Sequence, residues 1–331
     1  MAARRIVRPG LTVTDAVATA LRQHRPRLIE ALPWLIAIGG YFVFSDQLPF
    51  ASQILIAILF ALSLDLVLGF AGIVTLGHAA FYGTGAYVAG IYAIHVSHEP
   101  LSGLLAAAVA SAVVGVLSGL IILRTHGLTQ LMLTLAIATL LAEAANKASF
   151  ITGGNDGLQG IEIDPIGGLF RFDMFGRTGY LYCLIVLFCG WLFTRVLLAS
   201  PFGQSLVGIR ENVTRMHAIG APVGGRLLIA YANGAAMAGV AGALLAQTTQ
   251  FVGQSVLSFE RSGEVVIMLV FGGIGRIYGA FIGAAIYMIA QDQLSKSEPE
   301  FWSFWIGLLL VLSVLFARGG ILGLIDRLRG R

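Results

Sequence analysis

The chain has 331 residues, of which 57% are hydrophobic and 11% are charged, and its mean hydropathy is +0.85. Soluble domains carry about 25% charged residues, so this composition excludes an ordinary soluble enzyme or scaffold. The apolar runs do not alternate with polar residues as they would in a membrane barrel, and we therefore predict an all-α polytopic membrane protein. The net charge of +4 does not indicate a nucleic-acid partner, because most arginines lie at the ends of apolar runs, where the positive-inside rule places them.

The N-terminal part of the chain combines a basic segment with two predicted spans. Residues 1–27 are rich in arginine and are expected on the cytoplasmic surface, either as a basic arm or as an interfacial helix. Spans are predicted at about 28–44 and 53–68, and the second carries Asp65 in an apolar run. An ionisable group at membrane depth is a functional hypothesis, whereas a position close to the interface would make Asp65 structural.

Residues 69–90, GFAGIVTLGHAAFYGTGAYVAG, are apolar but carry a glycine every few positions. Glycine is a poor helix former, and irregular backbone at membrane depth is tolerated inside protein or along a water-filled cavity. The stretch therefore predicts a broken segment on a transport pathway, or alternatively a close helix contact. His78 is open between a structural hydrogen bond and solute contact. The candidate pathway residues here are Gly72, Thr75, Gly77, His78, Phe81, Gly83 and Gly85.

Four further spans are predicted at about 101–123, 128–141, 179–198 and 227–247. Glu143 and Lys147, at the end of the second of these, are spaced to pair across one helical turn. The polar stretch at about 148–178 is balanced toward acid and is expected on the periplasmic side. It begins with a turn-rich element whose candidate residues are Gly153, Gly154, Asn155 and Asp156.

The stretch at about 200–226 is polar and basic, so we expect a cytoplasmic loop. Val213 to Ile219 can form a short helix that ends at Gly220, with Pro222 just beyond it. An exposed short helix of this kind suits docking of another protein.

The late glycine-rich run at 264–290 is predicted to form two short spans that turn at Gly272 to Gly275. With a last span at about 301–316, this arrangement keeps the basic tail at 319–331 on the same side as the N-terminus. We therefore predict about ten crossings, some of them short or broken, with both termini cytoplasmic and a permease domain over 28–318. Gly272, Gly273 and Gly275 join the pathway candidates. Cys183 and Cys189 share one predicted span, which indicates neither a disulfide framework nor a metal site.

Several of these stretches resemble one known family. LGFAGIVTLGHAAFYGTGAYVAG at 68–90 is similar to the signature LGYAGxxSLGHAAFFGxGAYTAA of the branched-chain amino-acid class of ABC-transporter permeases. TGGNDGL at 152–158 resembles the TGGxDGL element of its M-type subunit, and the stretches at 210–220 and 270–286 resemble its coupling motif and its late glycine-rich hairpin. The chain departs from the family at Met216 and His217 in the coupling motif, at Asp65, where asparagine is more usual, and at Thr75, which replaces serine.

The resemblance implies the permease subunit of an ATP-driven importer in the bacterial inner membrane, working by alternating access. Its partners would be a second, H-type permease, two cytoplasmic ATPase subunits and a periplasmic solute-binding protein. ATP and Mg would bind to the ATPase subunits and no cofactor to this chain. The solute would be a branched-chain or other small amino acid, or alternatively urea, an amide or an aromatic acid. The residues implied in ATPase coupling are Arg210, Glu211, Ala218, Gly220 and Pro222.

Two other classes compete with this interpretation. An ion-coupled secondary transporter would use intramembrane carboxylates such as Asp65 and Glu143 to carry protons. An integral-membrane enzyme would need a catalytic constellation of histidines, carboxylates or nucleophiles, and the sequence shows no such motif.

Overall fold

The computed structural model describes residues 32–43, 47–165, 176–316 and 320–323. The regular elements in these ranges are helices. One isolated antiparallel bridge also pairs Leu158 with Val252. The predicted all-α class is thus confirmed for these ranges. The predicted cytoplasmic segment at 1–27, part of the predicted outer loop and most of the basic tail lie outside the described residues.

Thirteen α-helices are described, together with a π-helical turn at Asp65–Phe70 and short 3₁₀ turns at Gly154–Asp156 and Gln254–Leu257. In chain order the α-helices are α1 (Leu32–Val43), α2 (Leu48–Leu64), α3 (Ala79–His95), α4 (Pro100–Ile122), α5 (Leu128–Lys147), α6 (Ser149–Thr152), α7 (Arg177–Ala199), α8 (Pro201–Glu211), α9 (Val213–Ala218), α10 (Val223–Thr249), α11 (Phe259–Gly272), α12 (Ile277–Ser297) and α13 (Trp302–Phe316).

Five described helical segments are long and apolar enough to cross a membrane: α2 with its π turn, α4, α5, α7 and α10. The pair α11 and α12 forms a sixth candidate, bent by 115° at its break. The predicted count of about ten crossings is therefore not confirmed and stays a prediction. Some of the predicted spans are too short as helices to count as crossings by length. Helix α3, for example, has 17 residues and spans about 25 Å, which is less than the roughly 30 Å of a hydrocarbon core.

The two predicted irregular segments are confirmed. The helix that begins at Leu48 ends in the π turn, residues 71–78 are mostly non-helical, and α3 begins only at Ala79. The late glycine-rich run divides into α11 and α12, and its turn lies at 273–276, close to the predicted position. Helix α8 was missed, because the polar stretch at 200–212 was interpreted as a loop. Pro201 at its first turn and the Ser200 side chain, which accepts a hydrogen bond from the Gly203 amide, start this helix.

Helix α10 is the centre of the bundle and packs against α2, α3 and α4. Its buried residues are mainly alanine and glycine, which lets neighbouring backbones approach closely. Gly85 of α3 faces Gly239 of α10 so closely that a β-carbon at Gly85 would overlap the Gly239 backbone. The Ser111 hydroxyl of α4 donates to the Phe81 carbonyl oxygen at 3.1 Å, so three helices meet at this crossing.

Gly85→Ala is expected to lower the stability of the solubilised protein. Overpacking of a close contact costs roughly 1–3 kcal/mol, and the obstacle here is backbone, which cannot rotate away. Gly263→Ala in α11 is the matched control, because a β-carbon there meets no atom within 4 Å; the better helix propensity of alanine should add about 0.5–1 kcal/mol. Thermal unfolding in detergent should therefore shift in opposite directions for the two variants. Equal shifts would contradict the close contact.

Candidate functional site

The first glycine-rich segment is interrupted where α2 ends. At Gly72, where φ is +75°, the chain leaves the helix, and the amides of Ala71 and Ile73 donate back to the carbonyl oxygens of Leu66 and Val67. The Leu76 amide donates to the Thr134 hydroxyl of α5 at 3.2 Å. Residues 71–78, called the break below, thus connect the end of the π turn to the start of α3 and contact α5.

The break meets the π turn, α8 and the α11–α12 turn in what we call the Arg210 junction, formed by Asp65, Gly69, Gly72, Arg210 and Gly275. The Asp65 carboxylate is fully buried, and its Oδ1 accepts from the Gly275 amide at 2.7 Å. Arg210, the penultimate residue of α8, donates from Nη1 to the Gly69 carbonyl oxygen. The positive charge of Arg210 also acts on the Asp65 carboxylate. The coupling stretch therefore touches both the broken segment and the turn between α11 and α12.

Glycine is favoured at this junction by close contacts with Arg210 and by backbone conformation. A β-carbon at Gly72 would lie 3.0 Å from Cγ of Arg210, and one at Gly275 would lie 2.8 Å from Nη1 of the same residue. Gly275 also has φ +79°, a conformation that favours glycine. The arginine side chain thus lies in a groove formed by two glycines from distant parts of the sequence.

His78 lies at the start of α3 and is 1% exposed. Its Nε2 is 2.9 Å from the Ser63 hydroxyl. The ring stacks on Phe60 at 5.6 Å and meets Phe81 edge-on at 5.7 Å. Tyr82 packs on Phe60, and the centroids of these two rings are 4.5 Å apart. We call these five residues the His78 cluster, and their contacts are those of a packed, hydrogen-bonded core.

The remaining pathway candidates are in packed surroundings. A β-carbon at Gly77 would overlap the Thr134 carbonyl, and one at Gly83 would overlap the Leu257 side chain. Gly272 touches the Gly279 backbone, which brings α11 and α12 together. Thr75 is 1% exposed, and its hydroxyl accepts from the Gly77 amide at 3.2 Å. The structure therefore brings Gly72 and Gly275 together at the junction and places the other glycines at helix contacts.

Helices α8 and α9 form an exposed surface at one end of the bundle. The predicted short helix is confirmed as Val213–Ala218, with Asn212 accepting from the Arg215 amide at its start and Gly220 at φ +79° just beyond its end. Its residues from Val213 to Ala218 are exposed, except Met216, which is half-buried. The Met216 side chain fills the space above Gly208 of α8, so this departure from the family motif holds the two helices together.

The TGGNDGL element is a compact turn. Gly153 ends α6 with φ +75°, Gly154 to Asp156 form a 3₁₀ turn, and Leu158 then pairs with Val252 through two backbone hydrogen bonds of 2.8 and 3.1 Å. Asn155 and Asp156 are exposed. Buried Leu158 contacts the position of Gly90 near the end of α3, so the element closes the end of the bundle toward which α3 runs.

The carboxylates that could serve ion coupling lie in different surroundings. Asp65 is tied into the Arg210 junction, whereas the Glu143 side chain is 60% exposed and pairs with Lys147 at 4.0 Å, as predicted. Among the described residues no group of three or more potential metal ligands is found, and Cys183 and Cys189 are both free thiols. The sequence interpretation missed the ion pair between Arg261 and Glu264. The signal that could have revealed it is a pair of opposite charges three residues apart in an apolar helix.

The apolar helices that are long enough to cross a membrane indicate a multi-pass membrane protein. The family model described as branched-chain amino acid transport system / permease component matches residues 48–314. The chain belongs to this family.

Curated relatives agree with this assignment. The high-affinity branched-chain amino acid transport system permease protein LivM of Escherichia coli is 27% identical, over 89% of this chain and 73% of the relative. The LivM protein of Salmonella typhimurium is also 27% identical, over 87% and 73%. The autoinducer 2 import system permease protein LsrC of Photorhabdus laumondii is 24% identical over 43% of each chain. No solved structure matches the chain.

Proposed function

We propose that this chain is the M-type permease subunit of an ATP-driven importer in a bacterial inner membrane, and that it carries branched-chain amino acids by alternating access. The family and the names of the relatives support the transport role. The observation that carries the mechanism is the contact of Arg210 with Gly69, which joins the exposed α8–α9 surface to the broken segment.

The partners follow from this role. Two ATPase subunits bearing ATP and Mg would supply the motion, with one docking on α8 and α9 at Arg210, Glu211, Ala218, Gly220 and Pro222. A second, H-type permease would complete the pathway, and a periplasmic binding protein would deliver the solute near Gly153 to Asp156. We place α8 and α9 on the cytoplasmic side because the stretch that contains them is basic, and this orientation puts the TGGNDGL turn outside.

The geometry gives a route for the motion. A shift of α8 would pull on the Gly69 carbonyl through Arg210 and press on the turn at Gly275. Packed interfaces switch between discrete arrangements instead of deforming smoothly. The break and the turn would therefore change together, and they bound the pathway at this end of the bundle.

Substrate selection rests mainly on the binding protein in this proposal. Branched-chain amino acids are the first choice because two relatives carry that description. The LsrC relative is described as importing autoinducer 2, so the fold itself does not restrict the solute to amino acids, and urea, amides or aromatic acids are the alternative cargo.

Uptake in vesicles that contain the whole transporter is expected to follow ATP and not the proton gradient. Leucine uptake should stop when ATP is withdrawn and continue when a protonophore collapses the gradient at constant ATP, because the described carboxylates Asp65 and Glu143 are held in separate contacts. The measurement is accumulation of radiolabelled leucine under both treatments. Loss of uptake with the protonophore alone would favour an ion-coupled secondary transporter instead.

A further inference from the structure

A cavity of about 140 Å³ lies between α2, α3, α10, α11 and α12, away from the Arg210 junction. Its wall is apolar over most of its area, with Ile56, Val265 and Met268 among the lining side chains. Three side chains with polar groups also line it, Gln53 from α2, Tyr82 from α3 and Arg261 from α11. An apolar cavity of about 150 Å³ holds a molecule the size of benzene, so this one has room for a branched aliphatic side chain.

Arg261, which lines the cavity, belongs to a charged pair. Arg261 donates from Nη1 to Oε2 of Glu264 at 2.8 Å, and the two side chains are 34% and 19% exposed. The Tyr287 hydroxyl interacts with the same carboxylate. A partly buried ion pair adds little to stability, because the loss of hydration offsets the attraction between the charges. Its presence next to an apolar cavity within a broken span points to a ligand.

We infer that this cavity is a transient site for a zwitterionic amino acid, whose α-carboxylate binds Arg261, whose α-ammonium binds Glu264 and whose side chain enters the apolar wall. The inference rests on the proposed function and adds to it a site within this chain. A guanidinium matches a carboxylate with two parallel hydrogen bonds. The ligand carries one charge of each sign, so it exchanges one internal pair for two external pairs and leaves no buried charge alone.

The site is connected to the broken segment. Phe60 and Tyr82 line the cavity and also belong to the His78 cluster. Ser262, next to Arg261, accepts a hydrogen bond from the Ala79 amide at the start of α3, at 3.0 Å. A solute bound at Arg261 would therefore press on the elements that hold the end of the break.

Thiol protection tests the site without ATP or transport. The reporter is Ala57→Cys, which lines the cavity, in a Cys189→Ser background that removes the exposed native thiol; Met288→Cys is the second reporter. For a site with a millimolar dissociation constant, leucine at about ten times that concentration should slow alkylation about tenfold. Two leucine analogues serve as comparisons: the amine that lacks the carboxylate and the acid that lacks the ammonium group. Each should protect far less than leucine at the same concentration.

Charge variants separate binding from a structural ion pair. Arg261→Gln and Glu264→Gln should reduce protection from about tenfold to about twofold, because the lost bonds are charge-assisted. Lys296→Gln is the matched control, since Lys296 also pairs with a carboxylate of its own helix, Asp292, but lies outside the cavity lining. It should leave protection unchanged. The unliganded alkylation rate confirms that each variant is folded.

The exchange Arg261→Glu with Glu264→Arg keeps an ion pair but reverses its direction. We expect the unliganded alkylation rate to be retained and leucine protection to stay low. Full protection in the exchanged variant, no protection in the parent, or equal protection by the three compounds would each overturn the site. ATP-driven leucine uptake without protection overturns the site alone, whereas protection without such uptake supports the site and overturns the importer.

Discussion

Arg210→Ala is expected to reduce ATP-driven uptake by about tenfold or more, because a hydrogen bond from a charged group contributes roughly 1.5–3 kcal/mol and this one joins α8 to the Gly69 carbonyl. Hydrolysis of ATP by the assembled complex should continue. Arg210 as a whole is an exposed residue, so its loss should leave the fold nearly intact. The expected result is an uncoupled transporter, measured as solute transported per ATP hydrolysed.

Arg124→Ala is the matched control for this variant. Arg124 is an exposed arginine that follows α4, and its removal changes the net charge by the same amount. Uptake per ATP should stay near that of the parent. If Arg210→Ala lowers hydrolysis and uptake in proportion, the arginine acts at the ATPase surface and not as a link to the broken segment.

The Arg210 junction shows why both a carboxylate and an arginine belong at this end of the bundle. Asp65 fixes the turn of the α11–α12 pair through the Gly275 amide, while Arg210 fixes the end of the π turn through Gly69. The first bond joins the two interrupted segments to each other, and the second joins the first of them to α8. Asp65 stands where the family more often has asparagine, and its side chain lies within reach of the positive charge of Arg210.

Local features of the fold could be predicted from the sequence. The glycines at 69–90 indicate an interruption, since glycine destabilises the interior of a helix. Gly220 and Pro222 mark the end of α9, and the cluster at Gly272 to Gly275 marks the turn of the late pair. These features depend on a few neighbouring residues, and the structure confirms them.

The long-range contacts could not be predicted in this way. Arg210 and Gly69 are 141 positions apart, and Asp65 and Gly275 are 210 apart, so no periodicity relates them. The same limit applies to Gly83 and Gly85. A glycine in a membrane helix can face a pathway or a neighbouring backbone, and only the tertiary packing shows that these two face Leu257 and Gly239.

A reversible covalent link between the break and α8 tests the central claim, that Arg210 transmits motion by holding the two together. A β-carbon at Gly72 would lie 3.3 Å from Cβ of Arg210, close to the 3.5–4.5 Å typical of disulfides. The variant combines Gly72→Cys with Arg210→Cys in the Cys189→Ser background. Gly72→Cys alone, with Arg210 present, measures the cost of a side chain at this position, from its φ of +75° and from its contact with Arg210 together.

The deciding measurement is uptake per ATP by the double-cysteine transporter before and after reduction. We predict that the reduced form is uncoupled by about tenfold, like Arg210→Ala, and that oxidation restores coupling to the level of Gly72→Cys alone, because the disulfide replaces the lost bond. Coupling that is no better in the oxidised form than in the reduced form would contradict the claim that the break and α8 move as one unit.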